Sequence, residues 1–297
     1  MLTWIVLAAL AQFITALIVL VDKYVLVSQA HLGKPVVYAF YVSALSGVVI
    51  VLVPFGVISV PSLTVLALSL LASLTFIASV LFLYTALKRG NASDAVPIVG
   101  AVAAVVTLYL AFLLLDQDLP PAFIPAFVLL VIGTALISHI RLTWRSLRDV
   151  VLAGVFFGGT AVILKLIFLE TTFIEGFFWS RMTNVIGALS LLVIPANRQA
   201  VFHGYHSSSQ KLKWLVVSNK ALSGVAVFLT LAAISLGSVS VVQAMAGLQF
   251  VFLLGFAYLS AAWFPAVFKG EIHAHQFPHQ VYGILCIMAG LAALFLV

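Results

Sequence analysis

Three basic residues lie inside long apolar stretches of the chain: Lys165, Arg181 and Lys220. A charged side chain at membrane depth costs a few kcal/mol, so such residues are candidates for ligand binding. None of the three has an acidic residue one helical turn away in the sequence. Arg181 is the leading candidate, because a guanidinium binds a carboxylate or phosphate through two parallel hydrogen bonds and keeps its proton. We therefore expect these bases to line a wet, electropositive site for a small anion.

The same bases have a simpler interpretation. Long Lys and Arg side chains near a helix end can reach the membrane surface on their apolar stems. Lys165 lies near the end of its apolar stretch, and Lys23 does so in the first one. Arg181 could instead bond a helix end, Glu170 or Glu175. Both interpretations stay open at this point.

Neutral polar side chains also interrupt the apolar stretches. Tyr41, Asn184 and Gln243 are candidates to orient a ligand, although buried amides and hydroxyls more often bond between helices. Asp22 and Lys23 are adjacent at the end of the first stretch. We expect these two to pair with each other and to act in gating or coupling.

The sequence offers little for metal, cofactor or covalent chemistry. Five histidines lie in two predicted connections: His203, His206, His273, His275 and His279. Glu271 is the only further metal ligand near them, so we expect no metal site and no cofactor. The single cysteine, Cys286, excludes a disulfide within the chain. The apolar stretches contain no nucleophile–base pair, which disfavours an intramembrane enzyme. Because the basic residues are scattered, we expect no nucleic-acid partner.

The elements that carry these residues are predicted to be membrane-spanning helices. Of the 297 residues, 64% are hydrophobic and 7% are charged, which leaves too little polar surface for a water-soluble globule. A helix needs about 20 apolar residues to cross a bilayer and satisfies its own backbone there. Ten spans are predicted: Leu2–Val27, Pro35–Phe55, Leu63–Leu87, Ala92–Leu115, Ala122–Ile140, Asp149–Leu169, Phe173–Ile194, Leu212–Ser235, Val239–Val267 and Gln280–Val297.

The charges at the connections predict the orientation of these spans. The odd-numbered connections and their flanks hold most of the 14 Lys and Arg residues, whereas the even-numbered connections hold none. Basic connections stay on the cytoplasmic side of a membrane. We therefore expect both termini on the non-cytoplasmic side of a bacterial cytoplasmic membrane.

Two similar segments indicate an internal repeat. Residues 86–100 and 233–247 share an alanine, a serine and two glycines at a shift of 147, and Lys23 matches Lys165 at a shift of 142. Because five is an odd number, two five-span halves enter the membrane in opposite directions. The predicted fold is an all-α membrane protein of two inverted five-helix repeats, with a basic cytoplasmic linker between them. The predicted ranges are 1–140, 141–148 for the linker and 149–297.

Residues 86–120 read ALKRGNASDAVPIVGAVAAVVTLYLAFLLLDQDLP. This segment resembles the signature between the third and fourth helices of the drug/metabolite transporter superfamily, in particular its EamA-type members. The resemblance implies a ten-helix carrier with a central cavity between two repeats. Many members have a glutamate after the fourth helix, where this chain has Asp116, with Trp263 as its counterpart. Small multidrug exporters of the superfamily use a glutamate deep in the first helix, and this chain has no acid there before Asp22, which disfavours cation/proton antiport.

These observations predict a secondary carrier that works by alternating access on a small organic anion or amphoteric metabolite. We expect it to act as a monomer in the lipid bilayer, and no nucleotide-binding motif is found. The alternatives are an exporter of amino acids or hydrophobic drugs with a neutral cavity, a lipid-phosphate flippase, and a structural or receptor subunit.

Overall fold

The computed structural model describes residues 3–28, 34–90, 92–115, 123–137, 143–207, 209–263 and 277–295. In this part of the chain every regular element is helical. The elements are α1 Thr3–Ser28, α2 Pro35–Leu45, a 3₁₀ segment Ser46–Phe55, α3 Leu63–Arg89, α4 Ala92–Leu114, α5 Phe123–Ile137, α6 Trp144–Glu170, α7 Phe173–Leu191, α8 Pro195–Ser207, α9 Gln210–Leu236, α10 Val239–Ala244, α11 Gly247–Trp263 and α12 Phe277–Phe295.

Side-chain caps fix where several helices begin. Each cap is a serine or threonine whose oxygen accepts a hydrogen bond from the backbone N–H three residues later: Ser62, Thr143, Thr172, Ser209 and Ser238. The cap at Thr143 starts α6 at Trp144 rather than at the predicted Asp149. Part of the predicted linker is therefore helical. Asp149 lies within α6 and pairs with Arg89 at the end of α3, at 2.6 Å.

A bent helix follows the seventh predicted span in the structure, and the ninth predicted span is divided. The seventh ends at Leu191, and a proline at the first position starts α8, whose axis is bent by 106° from that of α7. The seventh span was predicted as Phe173–Ile194, so α8 lies within the predicted connection that follows it. The predicted ninth span, Val239–Val267, divides into α10 and α11 at Met245.

Several helices can cross a membrane. Among the described residues, six helices are long and apolar enough, or seven if the bent pair α7–α8 is one span. Their outward-facing side chains are apolar, and Val48, Phe112 and Leu169 are more than 60% exposed. Such a surface belongs against lipid rather than water. The chain therefore has the character of an integral, multi-pass membrane protein.

The helices pack in matching pairs. Helix α3 lies along α6 as α9 lies along α1, and α4 contacts α6 as α11 contacts α1. Helix α5 packs closely on α12, where a Cβ on Gly290 would lie 2.8 Å from the Ala126 carbonyl oxygen. A Cβ on Gly158 would lie 2.7 Å from the Ala103 carbonyl oxygen. The absence of a side chain at Gly158 and Gly290 therefore allows close helix contact, whereas Gly159 has no atom within 4 Å of a built Cβ.

Candidate functional site

A cavity of about 280 Å³ lies in the middle of the bundle. Its walls come from α1, α3 and α4 of the first predicted half and from α6, α7, α9, α10 and α11 of the second. Most of the lining is apolar, with aromatic walls from Phe76, Phe157 and Phe250. The polar side chains in the wall are Gln12, Thr15, Thr160, Arg181, Ser223, Thr230, Gln243 and Gln249.

Arg181 is the only charged residue among the described residues that line the cavity. Its side chain is buried, with 6% of the residue exposed, and its Nε has no hydrogen-bond partner among the residues that the structure describes. Within the described residues the guanidinium makes no hydrogen bond or ion pair, and its Cζ lies 5.6 Å from the centroid of the Phe76 ring. Such a cation–π contact offsets only part of the cost of removing a guanidinium from water.

Hydrogen bonds to the neighbouring helix hold Arg181 in register. Thr183 Oγ1 donates to the Ser69 carbonyl oxygen at 2.9 Å, and Ser73 Oγ donates to the Thr183 carbonyl oxygen at 2.9 Å. These bonds fix α7 against α3, which carries Phe76. The guanidinium is thereby placed at the cavity wall by a rigid pair of helices.

Three glutamine amides complete the polar part of the wall. Gln12 and Gln249 are buried and Gln243 is partly buried. None of the three side chains forms a hydrogen bond with the part of the chain that the structure describes. Thr160 is different, because its hydroxyl is shared with Thr75 at 2.8 Å. The amides therefore supply donors and acceptors to the cavity without prior engagement.

Lys220 does not line the cavity, contrary to expectation. Its Nζ lies 2.7 Å and 2.9 Å from the two carboxylate oxygens of Asp22, and both side chains are buried. Asn219 Nδ2, Tyr38 Oη and Tyr84 Oη also donate to Asp22, at 2.6, 2.5 and 3.2 Å. The expected pairing of Asp22 with Lys23 is corrected as well. We call Asp22 and its four donors the Asp22 cluster: Tyr38, Tyr84, Asn219 and Lys220.

The Asp22 cluster lies one helical turn beyond the cavity. Val19 and Ser223 line the cavity. Val19 is three residues before Asp22 on α1, and Ser223 is three residues after Lys220 on α9. These helices run antiparallel, since Trp4 contacts Gly237 at their other ends. The cluster thus joins α1, α2 and α3 to α9 at one end of the cavity.

Lys23 and Lys165 both cap helix ends. Lys23 Nζ donates to the carbonyl oxygens of Leu87, at 2.8 Å, and of Gly90 at the end of α3. Lys165 Nζ donates in the same way at the end of α9, to three carbonyl oxygens: Ile234 at 2.9 Å, Ser235 at 3.2 Å and Gly237 at 3.0 Å. A cation is favoured at a helix C-terminus. Neither lysine lines the cavity, and the Lys23 side chain is buried within the protein.

Of the remaining predicted site residues, one lines the cavity and two do not. Gln243 lines the cavity with Arg181, whereas Tyr41 donates to the Val201 carbonyl oxygen of α8 at 3.2 Å. Asn184 is buried away from the cavity lining, and its Nδ2 has no hydrogen-bond partner in the described part of the chain. Gln12 was missed by the site prediction, although an amide inside an apolar span is a signal that could have identified it.

The described residues contain no group of three or more His, Cys, Asp or Glu that could hold a metal ion. Some of the predictions lie outside the described residues. These concern His273, His275, Glu271 and Asp116, together with the side chains of His203 and His206.

Comparisons with known proteins define the fold alone. No family model matches the chain, and no curated protein matches it. The chain is similar to a solved structure described only as "Crystal structure of protein", with 16% identity, 96% of each chain covered and a TM-score of 0.65. The similarity spans almost the whole chain, so the arrangement of helices is one that another solved protein also adopts. Fold and sequence together define an all-helical, multi-pass membrane protein with a central cavity.

Proposed function

We propose that the protein is a secondary-active carrier that works by alternating access on a small organic anion or amphoteric metabolite. The observation that carries the proposal is Arg181, a buried cation at the wall of a central cavity without a hydrogen bond or ion pair among the described residues. A buried, unpaired charge is costly. An anionic ligand that accepts two hydrogen bonds from the guanidinium would offset this cost. The resemblance of residues 86–120 to EamA-type transporters supports the same class.

Two inverted five-helix repeats, with ten spans, are part of this proposal. The hydrogen bonds of Lys23 and Lys165 support the repeat. The carbonyl groups that accept from Lys23, Leu87 and Gly90, match two that accept from Lys165, Ile234 and Gly237, at the shift of 147. The paired contacts of α3 with α6 and of α9 with α1 follow the same relation. Carriers built from such repeats rock one half against the other around a central site.

The Asp22 cluster would then act as the gate at one end of the cavity. It ties α1 to α9, which belong to different repeats, through the ion pair of Asp22 and Lys220. Opening this end requires the pair to separate. In the orientation predicted from the basic connections, this is the cytoplasmic end. Lys23 would support the gate by holding the end of α3, next to Tyr84.

The apolar character of the wall favours one alternative. Phe76, Phe157 and Phe250 could bind an uncharged compound, as in an exporter of amino acids or hydrophobic drugs. In that case Arg181 would have a structural role. The two functions differ in whether transport depends on the charge of residue 181.

Uptake into proteoliposomes tests the proposal. Purified protein and its Arg181→Gln and Arg181→Lys variants would be screened with radiolabelled carboxylates, phosphorylated metabolites, amino acids and neutral drugs. We expect uptake of at least one anionic class, lost in Arg181→Gln and reduced in Arg181→Lys, which keeps the charge but not the two-pronged hydrogen bonding. Arg198→Gln, the same change at an exposed position, is the control. Equal uptake by Arg181→Gln and the parent protein would overturn the anionic site.

A further inference from the structure

We infer that the cavity binds a small monocarboxylate with an apolar body, an inference that rests on the proposed carrier function. Three features carry it: the single charge of the described wall, the absence of an acid from that wall, and the size and apolar lining of the cavity. Each feature excludes a different group of organic anions.

The charge of the wall suits a single negative charge. The sequence alone suggested three bases around the site, but Lys220 is neutralised by Asp22 and Lys165 is held by carbonyl oxygens of α9. This leaves Arg181 among the described lining residues. One guanidinium pairs with one carboxylate. A dicarboxylate or phosphate dianion would retain a second negative charge inside a wall of low polarity, which is costly.

No acid of the described wall is available for an ammonium group. Asp22 accepts from Lys220, and Glu175 accepts hydrogen bonds from Ser59 and Thr171 outside the cavity lining. The ammonium of an amino acid would have only neutral partners such as the amide oxygens of Gln243 and Gln249. Neutral acceptors replace hydration less well than a carboxylate does. A carboxylate without an amine is therefore the better fit.

The size and lining of the cavity define the rest of the ligand. Its volume of about 280 Å³ lies just below the range of roughly 300–1,000 Å³ that is usual for drug-sized ligands. A nucleotide-linked sugar is too large. The aromatic rings of Phe76, Phe157 and Phe250 would pack against an apolar body, with Phe76 next to Arg181. An aryl-substituted or branched short-chain carboxylate meets all these conditions.

A matched series of compounds tests the inference by calorimetry on the purified full-length protein. The probes are 3-phenylpropionate, its uncharged amide, phenylalanine, phenylsuccinate and phenyl phosphate, all at neutral pH. We expect 3-phenylpropionate to bind most tightly, with the amide roughly 10- to 100-fold weaker, as for loss of a charge-assisted hydrogen bond. In Arg181→Gln the carboxylate and the amide should bind equally, whereas Arg198→Gln should retain the difference. Circular dichroism would establish that each variant is folded.

The contrary outcomes separate this inference from the proposed function. Tighter Arg181-dependent binding of phenylsuccinate, phenyl phosphate or phenylalanine would overturn the monocarboxylate class and leave the carrier of anions or amphoteric metabolites standing. Equal binding of acid and amide by the parent protein would overturn both and favour the neutral exporter. If no probe binds the folded protein, the monocarboxylate class is wrong. Uptake of phosphorylated metabolites and amino acids would then decide the carrier proposal by itself.

Discussion

Lys220 Nζ lies 2.7 Å from Asp22 Oδ1, across 198 residues of sequence. Three further donors surround the same carboxylate. The amine also lies 4.6 Å from the centroid of the Tyr38 ring. A base without an acidic neighbour in the sequence is thus half of a buried ion pair in the structure. Arg181 has no such partner within the described residues, and this contrast separates a structural base from a candidate binding base.

The ion pair predicts strong coupling between its two members. Lys220→Met should lower the free energy of unfolding by about 3–5 kcal/mol, because it leaves a buried carboxylate without its counter-charge. The double variant Asp22→Leu/Lys220→Met should recover part of this loss. Thermal unfolding in detergent measures both. The single variant Asp22→Leu completes the cycle: if the double variant loses as much stability as Asp22→Leu and Lys220→Met do together, the residues are not coupled.

Arg181 should respond in the opposite direction. Arg181→Met removes a buried charge that forms no hydrogen bond or ion pair with the described residues. The free energy of unfolding should therefore increase by roughly 0.5–2 kcal/mol, and the melting temperature should rise with it. Uptake of anions should be lost in the same variant. A fall in melting temperature comparable to that of Lys220→Met would indicate that Arg181 has a structural role.

Lys23 and Lys165 should behave alike. Replacing either with methionine removes charge-assisted bonds to helix-end carbonyls and should cost about 1.5–3 kcal/mol. Differential scanning fluorimetry measures the loss, and Lys211→Met at an exposed position should change stability by less than about 0.5 kcal/mol. If Lys165→Met remained as stable as the parent protein but no longer bound ligand, Lys165 would be a ligand-binding residue rather than a helix cap.

Two adjacent glycines of α6 provide a matched test of helix packing. Gly158→Ala should destabilise by about 1–3 kcal/mol, because its Cβ would lie 2.7 Å from the Ala103 carbonyl oxygen of α4. Gly159→Ala meets nothing within 4 Å and should be neutral or stabilise by up to about 1 kcal/mol. Equal effects on thermal unfolding would show that α4 and α6 do not approach as closely as described.

The proposed gate predicts a change in access to the cavity. In a Cys286→Ser background, Ser223→Cys places a thiol in the cavity wall, three residues from Lys220. A membrane-impermeant maleimide added from the cytoplasmic side should label this thiol slowly. Adding Lys220→Met should increase the labelling rate at least several-fold, because the ion pair no longer holds α1 to α9. An unchanged rate in a folded variant would contradict the gate.

The sequence alone determined what depends on local composition. Apolar stretches of about 20 residues predict helices because the backbone must satisfy itself in lipid, and most predicted spans correspond to described helices. Lys23 and Lys165 match at a shift of 142 in the sequence, and both cap helix ends in the structure. Arg181 was identified as a candidate from its residue type and depth.

Only the tertiary structure decided which polar groups meet. Asp22 and Lys220 are far apart in the sequence, and no local pattern states which helices will lie side by side. The bend between α7 and α8 has a local cause in Pro195, whereas the apolar composition around Met245 gave no signal of the break between α10 and α11. Partner choice is set by these long-range contacts. For this reason three bases that look alike in the sequence have different roles: Lys220 is in an ion pair, Lys165 caps a helix, and Arg181 at the cavity has no hydrogen bond or ion pair among the described residues.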